Sequence, residues 1–341
     1  MRDTSTNRVA IIVLNWNGIN DTLTCLDSLL VQSFKNFRIL VVDNGSLDDS
    51  KLLLDAYKQQ HEDQVDIVYN PANFGFAGGV NTGIEWALNE DYEYVALFNN
   101  DAHADRDWLK HLVESIQPKE VGISTGLLLS DDGEAIDSTG ELYSTWGLAF
   151  PRNRGDKREK AAKAGTVFGA SGGASLYKTK LLRDIGLFDE DFFAYYEDVD
   201  ISFRAQLAGW KVAYTPDAIA YHKQGATSKK IPGFAIYHTF KNLPLLFIKN
   251  VPSGLRFRVG IRFYCAYILI LGNAIAHGDG LPALKGAWMS FILGFKKLSE
   301  RSHIQKAKRV SSDYIKSILW NDLPPEQTGL RKVRKFFTRK G

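Results

Sequence analysis

Chemistry in this sequence collects around a few acids, one histidine and one glycine loop. Val95-Ala-Leu-Phe98 is a continuous apolar run that passes into Asn99, Asn100 and Asp101 with no glycine or proline between. Such a run fits a strand buried on both faces of a parallel sheet, and ligands of open α/β sheets sit beyond the carboxyl ends of the strands. A carboxylate at Asp101 would enter that crevice and could hold a divalent cation beside a phosphate. The plainer reading is a turn, which Asn and Asp favour. Asp43 closes another apolar run. It could accept the imide N–H of a uracil or thymine ring, or make an Asx turn before Gly45. Glu197, Asp198 and Asp200 bunch at a helix start, either as a general base over the crevice or as ordinary acids at a positive helix terminus. Gly75, Gly78 and Gly79 let backbone approach a ligand, and the helix after them offers N–H groups to an anion. They do not follow the first strand in G-x-G-x-x-G order, so the dinucleotide fingerprint is absent. His222 alone reads as a loop histidine as readily as a metal ligand.

The elements that must position these residues follow from periodicity. Strands are expected at 9–14, 37–42, 65–69 and 95–98, with helices from Leu23 to Leu30, from Asp48 and Asp49 onward, and from the glycine loop to about Leu88. This alternation up to Asp101 indicates a mostly parallel, doubly wound α/β sheet. Beyond it, Trp108 to Ile116 reads as a helix and Gly122 to Leu129 as a strand. Ser171 to Tyr177 reads as a strand with close backbone approach at Gly172 and Gly173. Residues 131–165 read as irregular, with a mobile charged loop over 152–163. A helix from Glu197 stops at Gly209, Lys211 to Tyr214 is the last strand, and His222 falls in a loop after it.

Composition narrows the class. With 341 residues, 45% hydrophobic and 24% charged, the chain is long enough for one large domain or two ordinary ones and reads as folded. Cys25 and Cys265 cannot build a disulfide framework and nothing resembles a zinc cluster, so a reducing cytoplasm is the expected compartment. Met1 to Arg8 is polar, and the apolar run after it is too short for a signal peptide. No nucleic-acid recognition motif is present, and nucleic acid is not expected as a partner.

Taken together, Val-Leu-Asn-Trp-Asn-Gly18, Val-Asp-Asn-Gly-Ser46, Asn73-Phe-Gly-Phe-Ala-Gly-Gly-Val-Asn81, Phe-Asn-Asn-Asp101, Phe-Asp-Glu-Asp-Phe-Phe193, Tyr-Glu-Asp-Val-Asp200 and His222 stand in one order. That order resembles family 2 glycosyltransferases, and within them the bacterial rhamnosyltransferase-like branch with its galactofuranosyltransferase relatives. The resemblance covers roughly residues 8–228. It implies a GT-A fold, with a nucleotide-sugar half at about 8–101, an acceptor half at about 102–230, and a further region at 231–341. By the same matching, Asn15, Asn17 and Asp43 belong to the donor site, with Asp43 on the base. Asn73, Gly75, Gly78, Gly79 and Asn81 line it, and Asn100 and Asp101 complete it. Asn99 stands where the family's D-x-D motif has its first aspartate. Asp101 is then left with His222 as the metal pair, suited to Mn²⁺ or Mg²⁺. Asp198 is the implied catalytic base of a single inverting displacement. Glu197 and Asp200 are second choices, orienting acceptor hydroxyls beside Gly172 and Gly173. Trp108, Trp146 and the aromatics at 192–196 could stack on sugar or serve packing.

The implied donor is a dTDP- or UDP-linked sugar, with rhamnose first, and the implied acceptor a growing surface glycan or lipid-linked saccharide. A sugar-1-phosphate nucleotidyltransferase would place a basic glycine-rich loop after the first strand, where Asn15-Trp-Asn-Gly18 stands instead. A glycan-binding scaffold without turnover would fit Asn99 but not the pair Asp101 and Asp198.

From Pro232 the character changes. Three helices are expected at 235–250, 254–277 and 281–298, flanked by basic residues, and the tail Arg331-Lys-Val-Arg-Lys-Phe-Phe-Thr-Arg-Lys340 is strongly basic. Basic amphipathic helices suit a membrane surface. A helical interface between copies of the chain is the alternative. The most apolar run, Phe263 to Ile275, reads as too short to span a bilayer. A peripheral place at the inner face of the plasma membrane is the corresponding expectation.

Overall fold

The computed structural model describes residues 8–223, 231–325, 327 and 329. The basic tail and most of the 223–232 loop lie outside these. Strands β1 (Val9–Asn15), β2 (Phe37–Asp43), β3 (Val65–Tyr69) and β4 (Tyr94–Asn99) alternate with helices α1 (Ile19–Leu30), α2 (Ser50–Gln60) and α3 (Gly75–Asn89). Next come β5 (Ala102–Ala104), α4 (Trp108–Ser115), β6 (Val121–Ser130), β7 (Ile136–Ser138), β8 (Glu141–Tyr143), β9 (Ala149–Pro151) and β10 (Gly165–Val167). β11 (Ala174–Lys178), α5 (Thr179–Ile185), α6 (Glu197–Leu207) and β12 (Lys211–His222) close the sheet region. Four helices follow: α7 (Phe234–Asn250), α8 (Ser253–Ala276), α9 (Gly280–Lys306) and α10 (Ser312–Ile318).

The main sheet runs β10-β12-β6-β11-β4-β1-β2-β3. β1 pairs in parallel with both β2 and β4, whereas β11 is antiparallel to β4 and β6. The chain thus leaves β1 towards β3 on one side and returns to β4 on the other. That reversal opens the crevice in which an α/β sheet binds ligands. It places Asn15, Asp43 and Asn99 side by side at the strand ends.

Apolar runs on both faces of β1, β2 and β4 explain why the sheet is covered twice. Ile11, Val41 and Ala96 pack under α1 and α4, and Ile12, Val42 and Leu97 under α3 and α5. A third core joins Tyr143, Phe168, Phe192 and Phe203 to Leu246, Phe247 and Phe263 of the C-terminal helices. Tyr143 and Phe203 lie edge-on at 5.1 Å, and Phe247 stacks on Phe263 at 5.1 Å. The last four helices therefore complete the core on which α6 rests.

Three local expectations are corrected. Residues 131–165 hold β7, β8 and β9, strands of three residues each, too short for a period-two pattern to show. β12 runs on through Thr215-Pro-Asp217 to His222 by a register shift between Tyr214 and Ile219, so His222 ends a strand. Helix α8 has 24 residues and mean hydropathy 1.6, long and apolar enough to cross a membrane, although a third of that stretch is buried in the protein.

Candidate active site

Side-chain amides tie the crevice together. Asn15, wholly buried, donates through Nδ2 to Asp43 Oδ2 at 2.7 Å, and its Oδ1 accepts from Thr22 Oγ1 at 2.8 Å. Asn100 Nδ2 donates to the same Thr22 oxygen at 2.9 Å. A continuous chain of hydrogen bonds thus links the ends of β2, β1 and β4. Ser46 N–H donates to Asp43 Oδ1 at 3.0 Å. Asn17, at φ 49°, holds the neighbouring loop by accepting from Leu47 N–H at 2.8 Å.

The glycine loop does different work from that expected. Asn44, expected only in an Asx turn with Asp43, donates through Nδ2 to Asn73 Oδ1 and to Gly75 O, both at 3.0 Å. Asn73 Oδ1 also accepts from Gly75 N–H at 2.8 Å, and Phe193 O accepts from Ala77 N–H at 3.1 Å. The N–H groups of Gly75 and Ala77, in the first turn of α3, are thus already engaged within the protein. Gly75 sits at φ 72°, and a Cβ there would lie 2.4 Å from Phe193 O. At Gly79 it would meet Leu14 Cδ1 at 2.4 Å, and at Gly78 Phe74 Cβ at 2.7 Å. The glycines seat α3 against β1 and the 188–196 loop. Asn81 is a buried strut: its amide donates to Phe188 O and Glu190 Oε1 and accepts from Phe188 N–H.

Past β4, Asp101 Oδ1 lies 3.0 Å from His222 Nε2, and His222 Nδ1 lies 2.8 Å from Asp137 Oδ2. Asp137, on β7, is 1% exposed and ion-paired to Arg154 at 2.7 Å. No sequence pattern marks it, because β7 is short and Asp137 lies 85 residues from His222. Burial alone would lower the His222 pKa. The two carboxylates outweigh that and push it up to about 9. Asn99 Nδ2 lies 3.2 Å from His222 Nε2, and a half-turn of that amide exchanges Nδ2 for an oxygen. An imidazole held at one nitrogen by a carboxylate, with a second carboxylate and an amide oxygen at the other, is a donor set that Mn²⁺ or Mg²⁺ accepts.

A different acidic cluster, Asp189, Asp191 and Glu300, brings three ligand atoms within 4.8 Å of one another. Lysines already fill it. Lys297 Nζ lies 2.6 Å from Asp189, 2.7 Å from Asp191 and 2.9 Å from Glu300, and Lys249 lies 2.6 Å from Asp189. Burial would raise the Asp189 pKa, but these ammonium groups hold it well below the carboxylate range. The cluster anchors the Phe188–Phe193 motif to α7 and α9.

The three acids at the start of α6 part company. Asp200 is wholly buried and bound to Arg204 at 2.8 Å, Lys249 at 2.9 Å and Asn250 at 2.7 Å. It is out of reach of an acceptor, which corrects its expected role. Glu197 is buried with Oε2 unpartnered, and burial together with Asp198 raises its pKa to about 8. Asp198 alone of the three is partly exposed. Its Oδ2 accepts from Gly172 N–H at 2.9 Å and its Oδ1 from Val199 N–H at 2.8 Å. Burial raises its pKa, and these N–H groups oppose the rise. Gly173 O in turn accepts from Asn99 N–H at 2.9 Å, and a Cβ on Gly173 would meet Asn99 Nδ2 at 3.1 Å. The glycine pair thus brings Asp198 up against the end of β4. Trp108 is wholly buried against Phe98 and is a packing residue.

The model of the family described as glycosyl transferase family 2 matches residues 10–186, about half the chain. The chain belongs to glycosyl transferase family 2. Its fold agrees with solved members of the GT-A class. A Pyrobaculum calidifontis mannosyltransferase, solved with GDP-Man and Mn²⁺, superposes with a TM-score of 0.55 at 17% identity, covering 89% of this chain and 86% of that one. Staphylococcus aureus TarS 1–349 gives 0.55 at 15% identity over 91% and 90%. Among curated relatives, the low-salt glycan biosynthesis hexosyltransferase Agl10 of Haloferax volcanii is 23% identical over 71% of this chain and 76% of its own length. The poly-beta-1,6-N-acetyl-D-glucosamine synthase of Staphylococcus epidermidis is 24% identical over 62% of this chain, which spans about half (49%) of that enzyme's length.

Proposed function

We propose that this family 2 chain is an inverting, metal-dependent glycosyltransferase that moves a sugar from a nucleoside diphosphate to a hydroxyl of a growing glycan or lipid-linked saccharide. One observation carries the reading. Asp198 is the single acid of its cluster that reaches solvent, and Gly172 and Gly173 hold it beside the strand end bearing Asn99 and Asp101. Asp43, fixed by Asn15, takes the base, which favours a uracil or thymine nucleotide. The rhamnosyltransferase-like branch rests on the motif order alone, and dTDP-rhamnose is accordingly the first donor to try.

In this mechanism Asp198 accepts the proton of the acceptor hydroxyl as its oxygen bonds to the anomeric carbon. The bond to the diphosphate oxygen breaks on the opposite face, the electron pair leaves with the nucleoside diphosphate, and the configuration inverts. Asp101 and His222, with Asn99, would hold a divalent cation, which when bound neutralises charge on the departing diphosphate. Glu197, protonated at neutral pH, is a hydrogen-bond donor at the acceptor side and not the base.

Donor hydrolysis across UDP-, dTDP- and GDP-sugars tests the class. Release of one nucleoside diphosphate should cease with chelator and return with Mn²⁺ or Mg²⁺, and the transferred sugar should show inverted anomeric couplings by NMR. No binding of any donor by calorimetry would sink the reading. Asp137 is a positioning residue in this scheme. Asp137→Asn should weaken Mn²⁺ affinity, read by calorimetry, about 10- to 100-fold. Unchanged affinity would detach Asp137 from the metal site.

A further inference from the structure

Helix α9 is built inside out for a protein in water. The residues it turns inward are small, Ala283, Gly286, Ser290 and Gly294, ahead of the paired Lys297 and Arg301. Close approach requires them: a Cβ on Gly286 would lie 2.3 Å from Tyr237 O of α7. The residues it turns outward are large. Leu281, Leu284, Trp288, Phe291, Phe295 and Leu298 recur at three- and four-residue spacing and are 44% to 66% exposed. Its neighbour α8 repeats the pattern with Phe257, Ile261, Tyr264 and Ile268, 47% to 79% exposed. Apolar stripes of this length on two helices in contact exceed what monomeric soluble proteins leave in water.

We propose that the joined outer faces of α8 and α9 dock in the plane of an anionic lipid bilayer. Charge selects this occupant. Between Ser253 and Ser299 the sequence has one acid, Asp279, against Arg256, Arg258, Arg262, Lys285, Lys296 and Lys297. Of these, Arg256, Arg258, Arg262 and Lys285 are exposed beside the stripes. A second copy docked face to face would bring like charges together, whereas anionic headgroups attract them. The helices lie on the bilayer and do not cross it, because the opposite face of α8 packs on protein along its length, through Leu255, Val259, Phe263, Tyr267 and Ala274. The start of α9 also lies near the catalytic crevice. Pro282 packs against Gly233, where a Cβ would lie 3.0 Å from it, and the next residue, Phe234, has its ring 6.3 Å from that of Phe193, which packs on Gly75. A saccharide carried on a membrane lipid would be presented on that side, a point that rests on the transferase reading. The docking surface itself does not.

Flotation of the full chain with vesicles tests the surface, using phosphatidylcholine alone and phosphatidylcholine mixed with phosphatidylglycerol. The chain should float with the mixed vesicles, less so at high salt. Replacing Trp288, Phe291 and Phe295 together by Ser should weaken partitioning on the order of a hundredfold. Replacing Arg256, Arg258 and Lys285 together by Gln should cost about fivefold per charge and lessen the salt dependence. Both variants change exposed residues only and should bind donor in calorimetry as the parent does. Flotation without any donor binding would uphold the surface while removing the transferase reading. Failure to float with either vesicle would overturn the proposal. So would a dimer in solution that the aromatic variant converts to monomer, since the face would then belong to a second copy.

Discussion

Asp198→Asn is expected to lower turnover about a thousandfold while donor affinity stays within about twofold. General-base catalysis of this kind contributes roughly 10² to 10⁴. The substitution keeps the shape of the side chain, so an amide oxygen can still accept from the Gly172 N–H that orients Asp198. What disappears is the capacity to take a proton. The pH profile supplies a second signature. Burial raises the Asp198 pKa above its ordinary value, and only the ionised form can act as base. Turnover of the parent should therefore fall as pH drops through that raised value, and the residual rate of the variant should lack this limb. Glu197→Gln is the contrast. A group whose pKa is raised to about 8 is mostly protonated at neutral pH, and Gln preserves a donor there. Turnover within about tenfold of the parent is expected at pH 7. Loss as deep as that of Asp198→Asn would exchange the two roles.

How much of this was legible in the sequence depends on the range of each interaction. The first four strands were readable because the apolar runs of the three central ones, β1, β2 and β4, end in Asn or Asp, and those strand ends line the crevice. Asp101 and His222 were paired by resemblance, and the structure brings them to 3.0 Å. Asp137 was not readable. Its meaning lies in contact with a residue far along the chain, and its own strand is too short to display a pattern. The roles of Asp200 and Asn81 failed for a related reason. A buried ion pair with Lys249 and a clamp on Phe188 look, in sequence, like any polar residue in a functional motif. The inverted polarity of α9 escaped as well, since the spacing of Trp288, Phe291 and Phe295 is the same whether that face is turned in or out.

The C-terminal helices also hold the loop that carries Asp198. Three residues just before Glu197 adopt left-handed backbone without being glycine: Phe193 at φ 62°, Tyr195 at 69° and Tyr196 at 70°. Conformations of this kind cost about 1–3 kcal/mol each and persist only where the surroundings impose them. Here the imposing group comes from α7. Asn242, wholly buried, aims its single NH₂ at three carbonyls, Phe192 O at 2.9 Å, Ala194 O at 2.8 Å and Tyr195 O at 2.8 Å. Lys241 Nζ adds bonds to Asp191 O at 2.6 Å and Phe192 O at 3.1 Å. The loop so held carries Glu197 and Asp198 at its end and packs Phe193 against Gly75 at the donor side. Asn242→Asp should therefore be far worse than its size suggests. It retains the shape but turns a carboxylate oxygen towards three carbonyls, in a site closed to water. Loss of the hydrogen bonds that these two N–H groups share among three buried carbonyls costs about 1–3 kcal/mol before the repulsion is counted. The expected outcome is a lower melting temperature together with a drop in kcat on the order of a hundredfold. Donor affinity should change much less, because Asp43 and Asn15 lie outside the clamp. Equal losses in kcat and donor binding would indicate general unfolding, and an unaltered kcat would show that α7 does not hold the base in place. A kcat-selective loss would mean that α7, against which α9 packs at Gly286, also sets the position of Asp198, so that the proposed docking face and the proposed base rest on one packed unit.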